Sequence, residues 1–530
     1  MAENIEPKKK LPAGAMIAIG VGIGVIVTGV AAGGLFMSGL IPGVTPETSE
    51  EEIEDEEDIQ DEVEPSKTEA TLTPDVDSEG LVGLTIYETT PDGSTKAVGN
   101  LSAYAVNFYF VDVANQYAAY GVTSDMWDDV FDQETGETYR DLFLDQAGNV
   151  AMNVFLINRA AEEDGYLQYS KADIIAERQV ELIEENVSLW GFSSVDQYLE
   201  NLYGTGMTEQ IYTDILTEDI LAKEYQAYLQ QFQFLPTADE VQAVFDVDPS
   251  LYMMADFNMY YIPASVDANG NATNLAEVEA AAEKIAANSG TPEEFRQAVI
   301  DYLTEIGDET TLSYFADGND LTRYEGFSGV ELSYYTADIS DFIFGSTTTE
   351  GETAVITSEV GCYVIRFDKA YLNETSTVTY RVLILNNDTN LDTATTDSIT
   401  LQADAESQVA KIISGPVDSM SFCNICKEYS VAGDPISGGY FSGVTDLTTM
   451  PSDVSDWLLD PSRVQGDYIV KLSQDNTQIE VYYFECCEPN WQYQAKCQLF
   501  NNSMTEWSES LQENSPSFEI DKEAIAKISG

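Results

Sequence analysis

Thiols are the most conspicuous chemistry-bearing side chains in this sequence. Cys423-x-x-Cys426 has the spacing of a redox or zinc pair, Cys486-Cys487 offers vicinal thiolates, and Cys362 and Cys497 complete a set of six. A structural zinc site draws on Cys and His together or on paired CxxC motifs. The chain has no His, and no second CxxC accompanies the first. The sequence therefore predicts buried thiols or an incidental external disulfide, with no metal and no cofactor. The missing His also excludes a Ser-His-Asp triad and removes the usual general base near neutral pH. Gly438-Gly439 lacks the following Lys that a phosphate-binding loop requires. Chemistry is left to carboxylates, hydroxyls and thiols, or to binding alone.

What must position these groups is a module that the chain contains twice. Phe441-Ser442-Gly443-Val444 repeats Phe327-Ser328-Gly329-Val330 at an offset of 114 residues. Asp453-Val454-Ser455-Asp456-Trp457 repeats Asp338-Ile339-Ser340-Asp341-Phe342, and Gly466-Asp467 repeats Gly351-Glu352, both at 115. Matches at nearly one offset mark a tandem repeat. Strand-like runs bound each copy: Phe257 to Ile262 and Gly361 to Phe367 in the first, Val378 to Leu385 opening the second. Thr291-Pro292-Glu293-Glu294 starts a helix between them, with Pro in the first turn and a capping-box Glu.

Upstream, residues from about Leu101 to Phe245 read as amphipathic helices. Tyr212, Ile215, Leu216, Ile220, Leu221, Tyr225, Tyr228 and Leu229 keep the 3.6-residue period. Ser194-x-x-Gln197 and Thr237-x-x-Glu240 mark helix starts, and Gly204-Thr205-Gly206 separates two helices. Before these, Glu47 to Glu64 holds twelve acidic residues in eighteen and no basic one, which predicts a solvated tether. Lys8-Lys9-Lys10 precede an uncharged run from Ala13 to Leu40. As a helix that run would span about 42 Å, against a hydrocarbon core of ~30 Å. The expectation is a transmembrane helix over 11–41, with the basic tail cytoplasmic and the bulk extracytoplasmic. A formal charge of −70 with only 23 Lys and Arg argues against nucleic acid as a partner.

Ser421-Phe422-x-x-x-Cys426-x-x-Tyr429-Ser430, then Gly438-Gly439-x-x-x-Gly443, then Gly466-Asp467 and a closing strand resembles the parvulin-type peptidylprolyl isomerases. The first module is similar but worn, lacking the double Gly. With a helical domain and a membrane anchor, the whole resembles the SurA- and PrsA-type extracytoplasmic foldases. The likeness is to the membrane-anchored clostridial Gram-positive forms, through Asp456-Trp457-Leu458-Leu459-Asp460-Pro461-Ser462-Arg463 and Pro489-Asn490-Trp491. It implies an α+β fold: a transmembrane helix, a helical chaperone-like domain and two modules with a four-stranded antiparallel sheet flanked by helices. The boundaries expected are 1–10 (tail), 11–41 (membrane), 42–80 (tether), 81–248 (helical), 249–372 and 373–515 (modules) and 516–530 (C-terminal tail). The implied partners are unfolded or newly exported proteins, gripped at Pro- and aromatic-containing segments in an apolar cleft. Met450 and Val454, with Phe441 and Trp457 of the same block, fall at that cleft, and Tyr335 and Ile339 take the equivalent places in the first module. The family's two His fall near Val382 and Glu480 (Met259 and Tyr363 in the first module), so Glu480 and, with a shifted loop, Asp434 are the remaining catalytic candidates. The alternative is a non-catalytic holdase or surface scaffold that kept the fold and lost the active site.

Overall fold

The computed structural model describes residues 81–268, 270–386, 402–431, 433–473 and 477–528. The fold is α+β, and it corrects the sequence-derived fold class in one respect. Among the described residues no helix is long and apolar enough to cross a membrane. The longest, Tyr139–Glu163 and Asn490–Leu511, carry charged and polar residues along exposed faces. The expected tail 1–10, membrane segment 11–41 and acidic tether 42–80 all lie outside the described residues. The chain divides into two compact units: Met1–Leu235 with Val378–Cys486 and Phe500–Gly530, and Pro236–Thr377 with Cys487–Leu499.

The first unit opens with a hairpin, β1 (Val82–Thr89) and β2 (Thr95–Ser102), where helix was expected to begin the domain. β11 (Ser517–Ile520) completes this sheet in the order β11-β1-β2. Residues 516–530, read from the sequence as a tail, thus supply an edge strand and a last helix, Lys522–Ile528, whose Ile525 and Ile528 are buried. An apolar patch too short to stand out in a sequence becomes legible only when its partner strand is 430 residues away. On the sheet pack α1 (Ala103–Ala118) and α2 (Tyr139–Glu163), and against these helices and one another pack α3 (Ala172–Val187), α4 (Val195–Tyr203) and α5 (Glu209–Tyr228). On α5 the periodic residues Tyr212, Ile215, Leu216, Ile220, Leu221 and Tyr225 are buried. Gly204 ends α4 at φ +105°, a conformation open to glycine.

Helix α2 starts at a reciprocal cap: Thr138 Oγ1 accepts from Asp141 N, and Asp141 Oδ2 from Thr138 N, both at 3.2 Å. Lys522 donates to Asp141 Oδ1 at 2.6 Å. These donors, Lys522 foremost, bring the Asp141 carboxyl down to about 2. A lowered folded-state value contributes stability that is complete above the ordinary carboxylate range and is lost as pH falls from about 4 to about 2. The pair is solvent-accessible, so screening holds the effect below about 1 kcal/mol. Asp141→Asn is expected to flatten the pH dependence of melting across that window and to leave stability at its acid end unchanged. Thermal melts from pH 2 to pH 5 measure it.

The second unit holds the first module. Its elements are β3 (Met253–Pro263), α6 (Leu275–Ala286), α7 (Pro292–Ile306), β4 (Arg323–Ser328), α8 (Ala337–Ile343), β5 (Thr353–Ser358) and β6 (Gly361–Leu372), with sheet order β4-β3-β6-β5. The second module, in the first unit, repeats the plan. It runs β7 (Ser376–Asn386), α9 (Gln402–Ile412), α10 (Ser419–Tyr429), β8 (Tyr440–Val444), α11 (Ser452–Leu458), β9 (Tyr468–Leu472) and β10 (Gln478–Pro489), in the order β8-β7-β10-β9.

The structure resets one of the three repeat matches. Tyr324 pairs with Phe257 and Phe327 with Ala255; in the second module Phe441 pairs with Tyr380 and Val444 with Val378. Phe441 is therefore the counterpart of Tyr324, and the sequence match to Phe327 is three residues out of register. Both modules bulge at this place, at Gly326 (φ +60°) and Gly443 (φ +70°), so Gly443 answers Gly326 and not the Gly329 that the letters matched. The other two matches hold their places: α8 and α11 are equivalent, and Gly351 and Gly466 both donate N–H to a phenylalanine carbonyl, Phe367 at 2.8 Å and Phe484 at 3.2 Å.

Candidate functional site

Each module's sheet has two unlike faces. In the second module one face packs under α9 and α10 through Leu383, Leu385, Ala405, Val409, Phe422, Cys426, Val481 and Tyr483. The other carries Val378, Tyr380, Val382, Tyr482 and Phe484, covered by the seven-residue α11 and the loop before it. Strand alternation sorts the residues this way, because neighbours in a strand point to opposite sides. Tyr380 stacks on Phe441 with ring centres 5.2 Å apart, and Trp457 meets Phe484 edge-on at 6.4 Å. The first module repeats the stack with Phe257 on Tyr324 at 5.0 Å.

All six cleft residues named from the sequence lie on these faces. Met450, Val454, Trp457 and Phe441 belong to the second-module cluster, Tyr335 and Ile339 to the first. They divide by exposure. Val454 and Ile339 are wholly buried and pin the covering helix to its sheet, whereas Met450, Trp457, Phe441 and Tyr335 are half-buried and open to a partner. Arg463 lies over the Trp457 ring at 5.4 Å and is tied to Asp460 at 3.1 Å.

Glu480 joins the same face, because it alternates with Val481 and shares the side of Tyr482. Its Oε2 accepts from Tyr482 Oη at 2.7 Å. Burial, then this carboxylate, drives the Tyr482 hydroxyl far above its ordinary range, so it remains a donor. Directly across the ladder from Glu480 stands Lys471, whose ammonium contacts the Asp453 carboxylate next to Val454. Asp453, Lys471, Glu480 and Tyr482 therefore form a polar row along one wall of an otherwise apolar face. The first module replaces the cross-strand pair with Ile356 and Tyr363, and its wall is aromatic: Tyr363 packs with Tyr261 at 4.6 Å and Tyr335 at 6.3 Å. Lys471 was not singled out from the sequence; its signal was one cation in a short apolar strand.

Asp434 is placed elsewhere. Its Oδ1 accepts from Ile436 N at 3.1 Å and Ser437 N at 3.3 Å, and its carbonyl from Gly439 N at 2.9 Å, so it shapes the turn into the double glycine. That turn is held by a group the sequence reading missed. Arg381, 1% exposed on β7, binds Glu485 of β10 at 2.6 Å and donates to the carbonyls of Ser437 and Gly438 at 3.2 and 3.3 Å. Its guanidinium lies between the Phe232 and Tyr440 rings. Burial opposes the Arg381 charge, and neighbours including Glu485 outweigh it, so its pKa rises. The first module fills the equivalent places with Asn258 and Asp368, the latter gripped by Arg323 and Arg366. Its loop is fixed the same way: Thr322 O accepts from Met259 N at 2.8 Å, as Gly439 O does from Val382 N at 2.9 Å.

A second buried pair joins α5 to α10 within the first unit. Glu224, fully buried, binds Lys427 at 3.1 Å and accepts from Ser170 Oγ at 2.5 Å, and Lys427 donates to Tyr166 Oη at 2.9 Å. All six cysteines are free thiols, and burial pushes Cys426 well above its ordinary range. Among the described residues no group of three His, Cys, Asp or Glu side chains is placed to hold a metal ion. No protein-family model matches the chain, and no curated protein matches it.

Proposed function

We propose that the chain is a foldase-type chaperone for exported proteins, whose two parvulin-like modules bind Pro- and aromatic-containing segments, with any prolyl isomerisation confined to the second module. The observation that carries this reading is the open face of each sheet, where aromatic and apolar side chains lie half-buried beside a short covering helix. Prolyl rotation breaks no bond; it needs a twisted amide held better than a planar one, against a barrier of ~20 kcal/mol. The second module sets Lys471, a donor, beside that apolar face, and the first has no cation at the equivalent place.

Met450→Ala with Trp457→Ala is expected to weaken binding of an unfolded, Pro-containing client ten- to a hundredfold, since the two half-buried side chains have about 1.5–3 kcal/mol of apolar burial between them left to gain from a partner. Circular dichroism should stay unchanged. Undiminished client binding would overturn the reading.

A non-catalytic holdase is the second reading, favoured by the lack of His and by Val454 and Ile339 being core rather than cleft. A protease-coupled assay on a prolyl tetrapeptide separates the two. On the foldase reading Lys471→Met and Glu480→Gln lower the rate at least tenfold while client binding holds. A wild-type rate equal to the uncatalysed one, with binding intact, establishes the holdase.

A further inference from the structure

The repeat supplies its own comparison. Gly351 and Gly466 donate to the carbonyls of Phe367 and Phe484, which sets Tyr363 in the place of Glu480 on the inner strand and Ile356 in the place of Lys471 on the edge strand. Asp338, in the first turn of α8, likewise answers Asp453 in the first turn of α11. In the second module the Lys471 ammonium takes the Asp453 carboxylate and stands across the ladder from Glu480. The first module keeps the carboxylate and lacks the ammonium. Asp338 is exposed and makes no ion pair among the described residues, and the five cations of residues 249–372 are engaged elsewhere. Lys284 binds Glu305 at 2.5 Å, Lys369 binds Asp256 at 3.1 Å, and Arg323 and Arg366 hold Asp368. Arg296 donates to the carbonyls of Phe315 and Asn319.

What stands at that place instead is aromatic. Tyr261, Tyr335 and Tyr363 are all half-buried. Tyr363 packs on Tyr261 at 4.6 Å and meets Tyr335 at 6.3 Å with their planes 83° apart. Tyr261 Oη donates to Val360 O at 3.0 Å, which fixes that ring. Tyrosine faces attract an organic cation, and a carboxylate beside them adds to the attraction. An acidic segment is disfavoured, because Asp338, Asp341 on the same helix and Glu359 beside Val360 are all exposed.

Building on the reading that these faces bind client segments, we propose that the first module's face is a site for a cationic side chain. Its occupant is a Lys or Arg of the client, held where the second module holds its own Lys471. The second module has that place filled from within, so only the first selects basic segments.

Titration calorimetry on the full chain tests this with acetyl-Ala-Phe-Lys-Pro-Ala-amide and its norleucine and Glu counterparts. The Lys peptide is expected to bind about tenfold more tightly than the norleucine one, and the Glu peptide more weakly than either. A chain of charge −70 attracts any cation, so variants must identify the place. Asp338→Asn should cut the preference for Lys over norleucine about threefold, the worth of one exposed charge pair. Ile356→Lys, which plants the second module's ammonium in the first, should abolish the preference and leave norleucine-peptide affinity unchanged. Glu283→Gln makes the same change of charge on α6, which packs on the other face of the sheet, and should leave the preference intact. Asp338 is exposed, so its variant decides the matter if Ile356→Lys fails to fold. A preference that Asp338→Asn leaves unchanged, or that Glu283→Gln reduces as much, would overturn the proposal. Equal binding of the Lys and norleucine peptides overturns this inference alone, whereas failure of all three peptides to bind overturns the client-binding reading with it.

Discussion

Glu485→Gln is expected to destabilise the first unit by about 3–5 kcal/mol, the cost of leaving one member of a buried ion pair without its partner. Arg381 would keep its charge at 1% exposure with only the carbonyls of Ser437 and Gly438 and two aromatic rings around it. Arg381→Met leaves Glu485 better served, because Ser419 Oγ and Gln465 Nε2 also donate to it. It should nevertheless cost about 3 kcal/mol, since two loop carbonyls lose their donor. The double variant removes both charges and should fall short of the sum of the singles by about 2 kcal/mol or more. Urea unfolding of the four proteins measures this coupling. Additive losses would show that the two residues stabilise the sheet separately and that the pair does not fix the loop as a unit.

The pair shows what could be read from the sequence and what could not. The repeat, the helical region and the apolar faces were legible because periodicity and spacing are properties of one stretch of chain. Tyr212 through Tyr225 kept their period and are buried; Thr237-Glu240 and Thr291-Glu294 close the caps their spacing suggested. The β1-β2-β11 sheet was not legible, because each strand is short and its partnership joins opposite ends of the chain. The first repeat match went astray for a different reason. Similar letters, Phe-Ser-Gly-Val, sit three residues apart in register because the Gly that matters is the one at the bulge, and φ is invisible to letter matching.

At the candidate site, the sequence named the residues that line the face but not their exposure. Val454 and Met450 look alike in a string, yet one is sealed on the inner face of α11 and the other borders solvent. Nor did it reveal the polar row, since Lys471 and Glu480 meet only across the β9–β10 ladder. A lone charge in an apolar strand was the available signal in both missed cases, Arg381 in Tyr-Arg-Val-Leu and Lys471 in Ile-Val-Lys-Leu. A charge at such a place needs a partner, and asking for that partner would have pointed across the sheet.

The double glycine carries the other large effect, and its two positions should differ. Both have left-handed backbones, φ +66° at Gly438 and φ +67° at Gly439, which cost a non-glycine residue about 1–2 kcal/mol. A Cβ on Gly439 would meet the carbonyl oxygen of Val382 at 2.2 Å, main chain in the middle of β7 that cannot step aside. On Gly438 it would meet Cys423 Sγ at 2.3 Å, a side chain that can be removed. Gly439→Ala is therefore expected to cost about 3–5 kcal/mol in total, strain and overpacking together, and to break the Val382 N to Gly439 O bond that docks the loop on β7. Gly438→Ala should cost less, and Cys423→Ala in the same chain should recover part of it, though Cys423 Cα at 3.0 Å still presses on the site. Gly93→Ala, at φ +82° with open space around it, isolates the backbone cost alone. Melting temperatures in the order Gly93→Ala, Gly438→Ala with Cys423→Ala, Gly438→Ala, Gly439→Ala, from highest to lowest, are the expected result. If Cys423→Ala gave no relief, the constraint at Gly438 would be the backbone conformation or the Cα and Cβ of residue 423, and not the thiol.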